Sequence, residues 1–286
     1  MNSLSPSNKP FFRAPVPLAG VSGLPTPRVN HFTEADYGNF YEPAEDSFLL
    51  LDALEADAGT IKQLHPAVAA EIGPGSGVVT SFLAALLAAI HQREGPTSGP
   101  TAAVCLPDTH CALLCFDINP FAVEATKLTA LKNNNHALQD VVLGDLVLPL
   151  RPGSADLLVF NPPYVESADL PDQVTSTGAG GVTSGQGVDR GDGAAPPPLW
   201  AALDGGRDGG AGVARRALYA AHRALAPGGH FYLLLAQPNR PHELAELALA
   251  LYPDQPAGPQ RGFREAVCIA ERKAGWERLS VWRLTR

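Results

Sequence analysis

The chain has 286 residues, of which 45% are hydrophobic, and a formal charge of -8. That is enough apolar material to bury a sizeable core in one large domain, no run approaches transmembrane length, and the acidic balance argues against a general nucleic-acid coat, which would carry a basic face. The charge is uneven, with seven basic and three acidic residues over 261–286, so a local basic patch remains open there.

Residues 1–33 contain no acid and are interrupted by Pro6, Pro10, Pro15, Pro17, Pro25 and Pro27. An acid-free basic leader has the charge of a transit peptide, but the prolines oppose the amphipathic helix such a peptide needs. The expectation is a disordered tail over 1–40, with the domain beginning at Tyr41. From Tyr41-Glu42-Pro43-Ala44-Glu45-Asp46-Ser47 the chain enters an apolar helix whose first turn is acidic, where the helix dipole favours negative charge.

Ala67–Ile72 reads as a strand, Gly73-Pro74-Gly75-Ser76-Gly77 as a glycine loop, and Val78–His91 as a helix. Strand, loop and helix in that order make the nucleotide-binding unit of a doubly wound sheet. The third glycine follows one spacer rather than the two of GxGxxG, and Glu71 stands just before the loop, so a dehydrogenase loop holding a pyrophosphate is not the best match. Residues 93–111 look like a surface insertion. Ala112–Phe116 is a second strand ending on Asp117, with a helix opening at Pro120. An acid there hydrogen-bonds ribose hydroxyls in doubly wound folds, about 20 residues after the glycines. Here it follows Gly77 by 40 positions, and the insertion accounts for the excess. The competing role for Asp117 is a helix cap. The four cysteines, Cys105, Cys111, Cys115 and Cys268, show no CxxC pair, so free thiols in a reducing compartment are expected and no metal site.

Val141–Leu143 is a short third strand leading to Gly144-Asp145-Leu146, where Asp145 is placed either to cap a turn or to accept from an adenine amino group while Leu146 packs on the ring. The run Asp156–Phe160 is a fourth, buried strand that ends at Asn161-Pro162-Pro163-Tyr164. The two prolines hold Asn161 and Pro162 extended. The Asn161 side-chain oxygen and the Pro162 carbonyl are then set to accept both hydrogens of one planar NH₂ group, with the Tyr164 ring to stack on it. Such a cradle orients an amide or exocyclic amine towards an electrophile. Residues 167–198, rich in Gly, Ser and Thr, are a flap or plain disorder. Val213–Leu225 has helical spacing, His230–Ala236 is a fifth strand, a helix follows around 242–251, and 266–271 with 279–284 flank Lys273-Ala274-Gly275 as a hairpin. Arg261, Arg264, Arg272, Lys273 and Arg278 read as a solvated face or as a contact for an acidic RNA or ribosomal surface.

The series Tyr41–Ser47, Glu71–Gly77, Asp117-Ile-Asn-Pro120, Gly144–Leu146 and Asn161–Tyr164 resembles the HemK-type class I methyltransferases. It is most similar to their eukaryotic and archaeal branch, which methylates a glutamine side-chain amide in a translation termination (release) factor. The likeness covers nearly all of 41–286, and Ala202–Gly209 with Glu271–Val281 resembles the branch's later segments. It implies an α/β fold: a seven-stranded, doubly wound (Rossmann-like) sheet with an antiparallel last strand, forming one methyltransferase domain over 41–286 with insertions at about 93–111 and 167–198. It further implies S-adenosylmethionine held by Ser47, Glu71, Gly73, Gly75, Asp117, Asp145, Leu146 and Asn161. Asn161, Pro162, Pro163 and Tyr164 would bind the acceptor, with Asn161, Pro162 and Tyr164 catalytic and no dedicated general base. Members of the branch pair with a small zinc-binding activator along a sheet edge, for which the apolar third strand is suited. A cytoplasmic or nuclear location is expected. The alternative activity is adenine-N6 methylation of nucleic acid, whose exocyclic amine presents the same planar NH₂, although its groove should be basic.

Overall fold

The computed structural model of the protein describes residues 23–91, 111–135, 138–166, 204–251 and 262–286. The segment 167–198 and, apart from Cys111, the insertion at 93–111 lie outside the described residues. Chain order runs α1 (Glu45–Ala56), α2 (Ala58–Leu64), β1 (Val68–Ile72), α3 (Val78–His91), β2 (Ala112–Asp117), α4 (Pro120–Lys132), β3 (Leu138–Leu143) and β4 (Ala155–Phe160). Short strands β5 (Val165–Glu166) and β6 (Asp204–Gly206) follow, then a single helical turn at Arg207–Gly210. The rest is α5 (Gly212–Ala224), β7 (Leu225–Ala236), α6 (Pro241–Leu249), β8 (Glu265–Ala274) and β9 (Glu277–Thr285).

Seven strands form one sheet in the order β3-β2-β1-β4-β7-β9-β8. The pairings from β3 to β7 are parallel, and β9 is antiparallel to both β7 and β8. This is the doubly wound sheet with an antiparallel last strand that the sequence implied. The order reverses between β1 and β4, so the C-terminal ends of these strands open a crevice where ligands of such folds bind. β5 and β6 pair separately in parallel.

Two apolar layers sandwich the sheet. On one face α1, α2 and α3 pack through Leu50, Leu54, Ile61, Leu83, Leu86 and Leu87. On the other, α5 and α6 pack through Ala217, Leu218, Ala221, Leu244 and Ala248 against Phe231, Leu233 and Trp282. Helix α3 is apolar nearly all round because it is covered from two sides, by the sheet and by α1, which is what such a composition demands. Where the layers close, Asp57 at the α1–α2 junction pairs with Arg283 of β9 and accepts the Tyr232 hydroxyl at 2.8 Å, all three fully or nearly buried.

The elements differ from expectation at several places, among them the hairpin, where Lys273 and Ala274 pair within β8 and the turn is Gly275-Trp276. The tail does not extend to residue 40: Leu24 donates its backbone N–H to Glu55, Arg28 its N–H to the Asn133 side chain, and His31 bonds the Thr129 hydroxyl. Phe32, Tyr37 and Phe40 pile edge-to-face against one another and onto Ala122 and Ala125 of α4. Aromatic packing of this kind offsets the ordering entropy that a proline-rich composition suggests would go uncompensated. β7 also starts at Leu225 rather than His230, because Gly228 donates to the Arg286 carbonyl at 2.7 Å and Arg286 back to Gly229 at 2.9 Å, which pairs the Pro-Gly-Gly stretch with the C-terminus. Finally, β3 begins at Leu138, earlier than Val141, paired with β2 across a register shift.

Candidate active site

The Gly73–Gly77 loop leaves β1 with all three glycines at positive φ. Gly77 has a second constraint: a Cβ there would lie 2.8 Å from the Thr126 Cα of α4, closer than any side chain tolerates. The loop's carbonyls are held by α4, with Thr126 donating to Gly75 O at 3.2 Å and Thr129 to Ser76 O at 2.6 Å. Beneath the loop Glu71 is buried and accepts the Thr80 hydroxyl. Burial pushes its carboxyl up to about 8, the Thr80 bond opposing.

At the end of β2, Asp117 accepts from the N–H groups of Asn119 at 2.8 Å and Gly75 at 3.3 Å. Burial raises its carboxyl to about 6 against those bonds. Asn119, not Asp117, caps α4, accepting from Phe121 N–H at 3.0 Å. Asp117 is thus relieved of the competing role. After β3, Leu146 sits in the left-handed region at φ 51, an outlier for a branched side chain, and is nearly buried in the site. Asp145 beside it pairs with Arg216 of α5.

Asn161 ends β4. Its Nδ2 donates to Asp46 Oδ2, and a carboxylate only accepts, so the amide's orientation is dictated and Oδ1 faces the other way. Oδ1 is buried and has no partner among the described residues. An unsatisfied acceptor of this kind costs roughly 1–3 kcal/mol and is suited to receive a donor from a ligand. The hydroxyls of Tyr41 and Tyr164 also donate to Asp46, and burial first, the Asp46 charge second, raise both phenols so that they stay neutral. The other Asp46 oxygen takes the Ser47 N–H at 2.6 Å. The backbone of the motif is pinned as well: Asn239, buried after β7, donates to Tyr164 O at 3.4 Å and Gly209 O at 2.8 Å.

A cavity of about 330 Å³ gathers these parts, within the usual size of a cofactor pocket. Ser47, Glu71, Gly73, Gly75, Asp117, Asp145, Leu146, Asn161, Pro162, Pro163 and Tyr164 all line it. Sequence reading missed Asp46, Tyr41, Phe40 and Arg216 of the same wall. The carboxylates of Asp46, Asp117 and Asp145, with the neutral Glu71 acid beneath the loop, face one cation, Arg216, which Asp145 already engages. Such a lining repels a pyrophosphate and suits a ligand with cationic sulfonium and ammonium groups and a ribose. The residues present therefore fit S-adenosylmethionine.

The strand order, the braced glycine loop, the acid ending β2 and the Asn-Pro-Pro-Tyr turn on one cavity define a class I, Rossmann-like methyltransferase. No family model matches the sequence. The chain is 35% identical over 266 residues to methyltransferase HEMK2 of Mus musculus, covering 92% of this chain and 97% of that protein. Its identity is 33% over 264 residues to methyltransferase HEMK2 of Homo sapiens, covering 91% and 96%. Against the eRF1 methyltransferase catalytic subunit mtq2 of Schizosaccharomyces pombe it is 30% over 274 residues, covering 92% and 96%. The chain belongs to the HEMK2 family of methyltransferases. It is an enzyme whose methyl donor is S-adenosylmethionine. Among solved structures, the E. cuniculi Mtq2-Trm112 complex, described as responsible for methylating the termination factor eRF1, aligns with a TM-score of 0.49 at 22% identity, covering 87% of this chain and 99% of that one.

Proposed function

We propose that this chain methylates the side-chain amide nitrogen of a glutamine in a translation termination factor of the eRF1 type, the substrate named for the Schizosaccharomyces pombe relative. The observation that carries the reading is the buried, unpartnered Oδ1 of Asn161, aimed by the Asp46 clamp on its Nδ2. Bound S-adenosylmethionine supplies an electrophilic methyl on a sulfonium centre. Asn161 Oδ1 and the Pro162 carbonyl accept the two amide hydrogens, which fixes the nitrogen's orientation, and the buried wall of Ile72, Phe116 and Phe160 excludes water. Asp117 holds the ribose, and Leu146 with Asp145 meets the adenine. An adenine-N6 activity on nucleic acid fits less well, because the cavity is acidic where a phosphate backbone would approach. The test is incubation of the purified enzyme with labelled S-adenosylmethionine and, separately, an eRF1-type factor, histone proteins and DNA, with mass spectrometry of the product. Label on a glutamine of the factor is expected. Label confined to DNA or to lysines would overturn the reading.

We further infer that the enzyme works with a small zinc-binding activator seated on the β3 edge. The Schizosaccharomyces pombe relative is named as a catalytic subunit, and β3 is the terminal strand of the sheet. Phe121, Leu128, Leu131, Leu143 and Leu148 of α4, β3 and the stretch after it are all exposed, whereas of the other large exposed apolar side chains among the described residues Ile118 lines the cavity and Tyr219 and Trp276 lie elsewhere. An apolar edge of that extent marks a covered surface. Co-expression followed by gel filtration should give a heterodimer, and Leu143→Glu should abolish it. A monomer fully active alone would refute the partner.

A further inference from the structure

The tip of the β8–β9 hairpin is a two-residue turn, Gly275-Trp276, between Ala274 and Glu277, which pair with each other. Trp276 is fully solvent-exposed, at 101%, so it contributes nothing to the core and forgoes the gain that burying so large an apolar ring would bring. One pair further down, Lys273 lies directly opposite Arg278. Like charges facing each other across an antiparallel pair destabilise it, and neither has an ion-pair partner among the described residues. The hairpin is nonetheless held firmly: Arg272 bonds Glu45 and Asp52 of α1, and Ala274 packs on the same core cluster as Tyr164. Glu45 immediately precedes Asp46, and the Glu277 charge adds to the field that keeps Tyr41 and Tyr164 neutral. The tip therefore stands at the same end of the sheet as the Asn-Pro-Pro-Tyr turn.

We propose that this tip grips the protein substrate outside the acceptor pocket, Trp276 covering an apolar side chain and the Lys273–Arg278 pair taking a carboxylate, on an acidic patch of the folded factor beside its acceptor glutamine. The proposal rests on the glutamine-methylating reading given above. It gives a function to the exposed ring and relieves the like-charge pair only when substrate is bound, so that two facing cations without an acid partner select a carboxylate on the partner surface.

The experiment uses the full chain with its co-purified partner and compares wild type, Trp276→Ala and the double variant Lys273→Glu/Arg278→Glu. The double variant reverses the sign of the pair beside Glu271 and Glu277, so urea unfolding of each variant is measured beside wild type and KM is compared on protein shown to be folded. With an eRF1-type factor as substrate, KM should rise about tenfold or more in each variant, with kcat at saturation and S-adenosylmethionine affinity within about twofold of wild type. Binding of the factor should shift the fluorescence of wild-type Trp276 to the blue. Unchanged KM and unchanged fluorescence would overturn the proposal, as would loss of RNA binding with no change in KM. If wild type instead methylates another acceptor protein, the glutamine reading fails, and the same comparison of KM on that acceptor still decides the role of the hairpin.

Discussion

Asp46 and Asn161, 115 positions apart in sequence, are joined by a hydrogen bond of 3.1 Å from the Asn161 amide nitrogen to the carboxylate, and the same oxygen takes the hydroxyls of Tyr41 at 3.0 Å and Tyr164 at 3.2 Å. One buried carboxylate at the start of α1 therefore orients the amide and both phenols of the acceptor site. Bonds to a charged acceptor are about twice as strong as neutral ones, and the burial of Asp46 shields them from competing water.

Replacement of Asp46 by Asn retains the shape and removes the acceptor-only character that dictates the Asn161 orientation. Turnover should fall on the order of 10-fold or more, and Asn161→Ala, which deletes the acceptor itself, should cost on the order of 10²-fold. S-adenosylmethionine affinity, measured by calorimetry, should change far less in both. Wild-type turnover in Asp46→Asn would show that the clamp does not position the amide.

The parts of the site legible in the sequence are those whose chemistry is local. Glycines at positive φ and paired prolines act on their own backbone, so the Gly73–Gly77 loop and the Asn161–Tyr164 turn announce themselves. Asp46 does not, because an acid in the first turn of a helix already has an ordinary role with the dipole, and its partners lie far along the chain. Asn239 is hidden for the same reason: its bond to Tyr164 O spans 75 positions. The fold was legible from alternating strands and helices, but docking of residues 23–40 was not, since proline content speaks of local stiffness while the packing of Phe32, Tyr37 and Phe40 depends on α4.

Cofactor affinity should be pH-dependent through Asp117. Burial raises this carboxyl to about 6, and only the ionised form accepts both ribose hydroxyls strongly. Affinity should be flat above about pH 7 and weaken as pH falls through 6, by up to roughly tenfold per unit. Asp117→Ala should bind weakly at all pH values with a native circular dichroism spectrum. Calorimetry across pH checks both, and an unchanged affinity in the variant would remove Asp117 from the ribose site.

Glu71 predicts a stability trend of the opposite kind from that of a salt-bridged acid. Its folded carboxyl titrates at about 8 against an ordinary 4.5, so between these values the native state holds a proton that the unfolded state has lost. Stability is fully present below about pH 4.5 and declines as pH rises towards 8, with a slope of at most about 1.4 kcal/mol per pH unit from this group. Glu71→Gln keeps the neutral form's hydrogen-bonding and cannot ionise. Urea unfolding of wild type and variant at several pH values between 5 and 8 should show the variant's curve flatter, and parallel curves would contradict the assignment.

Gly77 combines two requirements that can be separated by experiment. Its φ of +79 resists any side chain, and an added Cβ would also press on the Thr126 Cα at 2.8 Å. Gly228 has a similar φ of +86 with nothing within 4 Å of its Cβ position, so Gly228→Ala measures the conformational strain alone, on the order of 1–2 kcal/mol. Gly77→Ala should lose about 1–3 kcal/mol more, because α4 must move to make room in a close-packed contact. That movement also disturbs the threonine bonds to Gly75 O and Ser76 O, so S-adenosylmethionine affinity should drop in Gly77→Ala and stay unchanged in Gly228→Ala. Thermal or urea unfolding gives the first comparison and calorimetry the second. Equal losses at the two positions would mean that the loop's conformation, and not its contact with α4, is what the third glycine serves.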